Sequence, residues 1–159
     1  LEQASALGYT GNDGYEYLGL AHANLGNYDA SVQAFDRAID RQPSALLYLV
    51  AAESYRKTGA VERARVYLES AITSSDDRFL IQEARMRLGD LFLTDDRLGR
   101  AAEQYQALLE ENPRSAEAHY QLGLVYDRMG NRERARYEWR EALRIDPSHS
   151  EALNRLQNN

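Results

Sequence analysis

The chain has 159 residues, 43% of them hydrophobic and 28% charged, enough apolar material for one continuous core and too much for a disordered chain. Its net charge of −6 argues against a nucleic-acid partner, because phosphate neutralisation needs a surplus of positive charge on the binding face. With no cysteine, disulfides and thiolate metal sites are excluded, and no apolar run is long enough to insert directly into a membrane.

The chain starts at Leu1 without a methionine or a secretory leader, which leaves an upstream segment open and, with it, the compartment, cytoplasm or periplasm. Only Lys57 among the basic residues is lysine, a bias that reads as nucleotide composition before function. Leu1, Ala4 and Leu7 fall at helical spacing before Gly8, so residues 1–11 are expected to be the tail of a helix packed on the first helix pair. That pair lies near Asp13–Leu25 and Tyr28–Arg41, turning at Gly26. Tyr15, Leu18, Gly19 and His22 face inward, His22 as a packing imidazole with a hydrogen-bond partner.

The second pair, about Ser44–Lys57 and Val61–Ser74, turns at Gly59. Its first helix carries Leu46-Leu47-Tyr48-Leu49-Val50-Ala51-Ala52, apolar all round, and such a helix is buried on every side or covers something. Ser74-Ser75-Asp76-Asp77 lacks the proline that closes the other pairs; Asp76 or Asp77 is placed to cap the next helix, about Arg78–Leu93, through its side-chain oxygen. That helix should be nearly a turn longer than its siblings. Asp96 takes the turn position that glycine holds elsewhere, a place Asp tolerates better than most residues, before a helix over about Leu98–Glu111.

The fourth pair, Ser115–Arg128 and Arg132–Ile145, turns at Gly130 and ends at Pro147, whose ring cannot continue a helix. Trp139 should anchor its core. Ser148 is expected to cap a short last helix with Ala152, Leu153 and Leu156 on one side and Glu151, Asn154, Arg155 and Asn158 on the other.

The four pairs share one register. Gly123 aligns with Gly89, Ala52 and Gly19 at steps of 34, 37 and 33, and Trp139 with Tyr105, Leu68 and Phe35 at the same steps. Ala142 aligns with Leu108, Ala71 and Ala38, and Pro147 with Pro113 and Pro43. This string, Leu-Gly before an aromatic, then Ala, an aromatic, Ala and Pro, resembles the tetratricopeptide repeat. The resemblance implies an all-α fold, a right-handed superhelical α-solenoid of antiparallel helix pairs. Residues 1–11 would be the tail of a truncated preceding repeat, 12–147 four repeats (about 12–44, 45–77, 78–115 and 116–147), and 148–159 a capping helix.

Proteins resembling this fold use a concave face lined by the first helix of each pair to hold extended or helical peptides. Counting from each Leu-Gly equivalent puts Tyr17 and Leu20 there from the first repeat, and Leu46, Leu49, Val50 and Glu53 from the second. The third contributes Met86, Arg87 and Asp90, and the fourth Tyr120, Gln121 and Leu124. An apolar centre with tyrosines and a charged rim matches a protein-binding patch. Leu49, Tyr17, Met86, Tyr120 and Leu124 would supply contact area, and Arg87 with Glu53 orientation. The cations with which one subset of the family grips a C-terminal carboxylate are missing in either register, so a chaperone-tail partner is not expected.

Two alternatives stay open. Leu46, Leu49 and Val50 could cover one another with no ligand, and the module could assemble with a second copy or with upstream repeats as a homo-oligomer. Arg132, Arg136, Arg140 and Arg144 recur every four residues, flanked by Glu133, Glu138 and Glu141; a solvated, internally paired face explains them, with an acidic partner as the other reading. No catalytic constellation, metal-ligand spacing or phosphate-binding loop occurs, so neither enzymatic activity nor a cofactor is expected.

Overall fold

The computed structural model describes residues 13–158, so the tail expected over 1–11 lies outside the described residues. Within them the chain is all-helical: α1 (Asp13–Asn24), α2 (Tyr28–Arg41), α3 (Ala45–Lys57), α4 (Val61–Thr73), α5 (Arg78–Thr94), α6 (Leu98–Glu111), α7 (Ala116–Arg128), α8 (Arg132–Ile145) and α9 (Ser150–Asn158). Each stands where the periodicity predicts it, and α5 has 17 residues against 12 in α1 and 13 in α3 and α7. The helices pack as sequential antiparallel pairs. Two compact units divide inside α5, Leu1–Ala84 and Arg85–Asn159.

The turns follow from backbone sterics. Gly26, Gly59 and Gly130 sit at φ of +75°, +82° and +78°, and Asp96, without glycine's freedom, is held at +57°. Ser44 and Ser115 cap α3 and α7 by accepting from Leu47 N and Ala118 N, and Asp77 caps α5 through Phe79 N at 2.9 Å. Ser148 does not cap α9 as expected. Its hydroxyl donates to Asp146, and His149 takes the cap position, its Nδ1 3.4 Å from Ala152 N. A helix beginning at Ser150 leaves Ser148 one residue too early to reach the orphan amides.

Inside each pair, the small residue of the first helix receives the ring of the second. A Cβ on Gly19 would come within 2.7 Å of the Phe35 ring, and one on Gly89 within 2.6 Å of Tyr105. Gly123 lies as tightly under Trp139, which is fully buried as expected of a core anchor. In the second pair both halves change together: Ala52 fills the small slot and Leu68 replaces the ring, and both are buried.

In the first unit, polar bonds join neighbouring pairs. Ser31 Oγ donates to Gly19 O at 2.8 Å and lies 2.8 Å from Ser54 Oγ, both serines being buried. Asp36 on α2 accepts from Tyr55 Oη of α3 at 2.5 Å and from Tyr67 Oη of α4 at 2.7 Å, one phenol per carboxylate oxygen. Burial, followed by the bond to Asp36, pushes both phenol pKa values up, so both stay neutral donors. The second unit repeats the device in lighter form, with Gln106 Nε2 of α6 donating to Tyr126 Oη of α7 at 3.0 Å. Nothing in the residue periodicity singled out Asp36; its signal is a tyrosine on each of the next two helices. His22 is half-buried as expected, yet its Nδ1 is buried with no hydrogen-bond partner among the described residues.

Candidate functional site

In the first unit the predicted inner-face residues sit on α1 and α3, which touch one another across α2. Tyr17 is 63% exposed and Leu46 53%, while Leu20 and Val50 are half-buried. Leu49 corrects the expectation: at 6% exposed it is a core residue and offers almost no contact area. Leu47, Ala51, Ala52 and Tyr55 are buried with it, so the all-apolar run is mostly interior and Leu46 is its outward member. Glu53 is held within its own helix by Arg56 at 2.6 Å and Lys57 at 3.8 Å, both partly exposed pairs of little energetic weight.

In the second unit Met86 and Arg87 are half-buried and Asp90 is exposed. Asp90 Oδ1 accepts from Tyr105 Oη at 2.6 Å. Burial above all, then that bond, raises the Tyr105 pKa far enough to keep the phenol a donor at any ordinary pH. One oxygen of the Asp90 carboxylate is therefore held by a permanent phenol donor. Arg128 does not face outward as a free cation. Its Nη1 donates to Leu93 O at 2.6 Å, satisfying a carbonyl at the end of α5.

Tyr120, Gln121 and Leu124 on α7 are half-buried. Gln121 donates to Glu117 at 2.7 Å, and the Tyr120 ring lies 4.8 Å from that of His149. His149 Nε2 is 3.4 Å from Glu117 Oε2, so the start of α9 is stitched to α7. A hollow of 360 Å³ opens beside Tyr120, lined also by Glu151, Asn154, Arg155 and Asn158. The polar side of α9 thus extends the face that Tyr120 begins. Leu153, placed with the packing residues by spacing, is 45% exposed, and Ala152 takes the buried position. No cluster of His, Asp, Glu or Cys able to hold a metal occurs among the described residues, and no described helix is long and apolar enough to cross a membrane.

Comparison with known proteins agrees with this architecture. Tetratricopeptide-repeat models match residues 17–78, 89–130 and 116–149. Mouse Superkiller complex protein 3 is 31% identical over 106 residues, 67% of this chain but 7% of that protein's length. Among solved structures, YrrB, a TPR protein with an unusual peptide-binding site, superposes with a TM-score of 0.83 at 24% identity, covering 98% of this chain and 79% of its own. MamA from Desulfovibrio magneticus RS-1 gives 0.79 at 18% identity over 91% of this chain and 81% of its own. The helix pairs, their glycine–aromatic contacts and the matched models together show that the chain belongs to the tetratricopeptide-repeat family.

Proposed function

We propose that the chain is a non-enzymatic protein–protein interaction module that holds a peptide or helical segment of a partner on the exposed face of its first helices. Tetratricopeptide repeats are in general protein-interaction modules. The observation that carries the reading here is the outward placement of two large apolar side chains, Tyr17 and Leu46, on adjacent first helices of the first unit. Apolar surface left exposed as a patch marks interaction sites, and these two side chains are the apolar anchors offered on the two helices. Met86, Tyr120 and Leu124, each half-buried, are the corresponding apolar residues of the second unit. YrrB, of similar fold, is a peptide-binding protein, which adds support.

The test uses peptides selected from a random displayed library against the full chain. The double variant Tyr17→Ser/Leu46→Ser should weaken the selected peptides about tenfold or more, as loss of two interface anchors does, with the far-UV spectrum unchanged. Binding that ignores both substitutions rejects the inner-face reading. Sedimentation over a range of concentrations addresses self-assembly: mass that rises with concentration, and returns to the monomer in the double variant, assigns the same face to a second copy.

A further inference from the structure

The second helix of the fourth pair carries a charge that its own residues leave unbalanced. α8 holds five arginines against three glutamates, in a chain whose net charge is −6. An internally paired face was the expectation, but the geometry distributes the carboxylates differently. Glu138 turns inward to His119 Nδ1 at 2.7 Å, its side chain only 12% exposed. Glu141 is taken by Arg144 at 2.8 Å. Arg134 lies over the Tyr126 ring.

That leaves Arg132, Arg136 and Arg140 without an ion pair among the described residues. Arg140 is the clearest case. Its helical neighbours three and four residues away are Arg136, Tyr137, Leu143 and Arg144, none of them a carboxylate. Like charges at that spacing repel, so folding alone does not favour the row. Tyr137, 59% exposed, stands beside it and adds an aromatic anchor; tyrosine and arginine together are what interface hot spots are enriched in.

We propose that Arg132, Arg136 and Arg140, with Tyr137, form a second interaction surface that docks an acidic helical segment of a partner protein. Charge complementarity and spacing identify the occupant. Side chains four apart on a helix repeat every ~6 Å along its axis, so a partner helix with Asp or Glu at every fourth position matches the row guanidinium for carboxylate. Guanidinium groups are shaped for such bidentate contacts. A nucleic acid fits less well, because its phosphates continue past the three unpaired arginines and the chain as a whole is net negative. This surface is separate from the inner face and does not depend on it.

The experiment titrates the full chain with a short fluorescent, alanine-rich helical peptide carrying glutamate at every fourth position. A glutamine counterpart and a labelled oligouridylate are titrated in parallel. Saturable binding of the glutamate peptide, weakening as salt rises, is expected, with little binding of the glutamine peptide. Arg136→Glu/Arg140→Glu should weaken it about tenfold or more, while Tyr17→Ser/Leu46→Ser leaves it unchanged. Far-UV spectra and Trp139 fluorescence verify folding, and Arg140→Gln serves if the reversal unfolds the helix. The proposal is overturned if the glutamate and glutamine peptides bind alike, or if the reversal has no effect. Tighter binding of the oligouridylate overturns it in favour of nucleic acid. Salt-sensitive self-association that the reversal abolishes overturns it in favour of a second copy.

Discussion

His119 occupies a position where a side chain must both pack and bond. Its Nδ1 meets Glu138 at 2.7 Å and its Nε2 meets the Pro113 carbonyl at 3.4 Å, so both ring nitrogens face acceptors. The bond to Glu138 raises its pKa against the opposing effect of burial. A raised folded-state pKa adds stability that is fully present below the unfolded value, about 6.5, and is lost as pH rises through the folded one. We therefore expect the urea midpoint read by Trp139 fluorescence to fall between mildly acidic and mildly alkaline pH. His119→Phe should flatten that slope; an unchanged slope in the variant would place its origin elsewhere. At this scale legibility was uneven. The run from Leu46 to Ala52 contains no polar residue apart from the Tyr48 hydroxyl, so periodicity had nothing to alternate against. It could not show that Leu49 points in and Leu46 out.

Helix boundaries, by contrast, were readable almost to the residue, because many fall at a cap or turn residue with a backbone reason for being there. Ser44, Asp77 and Ser115 cap, and Gly26, Gly59, Asp96 and Gly130 turn. Pairing within each repeat was also legible, as an alignment of small residue with ring; what the alignment concealed was that the two are one contact. Gly123→Ala gains about 1 kcal/mol of intrinsic helix propensity but drives a methyl into the Trp139 ring, and overpacking costs about 1–3 kcal/mol. The balance should be destabilising. Adding Trp139→Leu rebuilds the Ala52–Leu68 combination, so the double variant should be less destabilised than the sum of its singles. Chemical denaturation followed by circular dichroism measures this, and strict additivity would mean that the two residues do not share a contact.

Across the whole molecule, repeat stacks gain stability from each hairpin and from its contacts with immediate neighbours. Asp36→Ala removes the shared acceptor of two buried phenols and should cost about 2–3 kcal/mol, borne where the first pair meets the second. Far-UV circular dichroism should register the loss fully, while the fluorescence transition of Trp139, on α8, should shift less. Equal shifts by both probes would show that the chain unfolds as one block. Repeat register was legible, and it is register that assigns residues to the proposed inner face. The chemistry of that face was not, because the bonds that hold Asp90 and His149 run from one helix to another and leave no trace in the spacing of either.

The glycine–ring contact and the Asp36 bridge also have different histories available to them. Gly123 and Trp139 lie in one hairpin, so copying that hairpin anywhere along a gene carries lock and key together. Asp36 and its tyrosines lie in successive hairpins, so a copy of the third or fourth hairpin inserted between them parts the acid from its phenols and must mutate before the join closes again. New copies of this module therefore arrive already folded inside and unfinished at their borders, and it is at the borders that lineages should diverge.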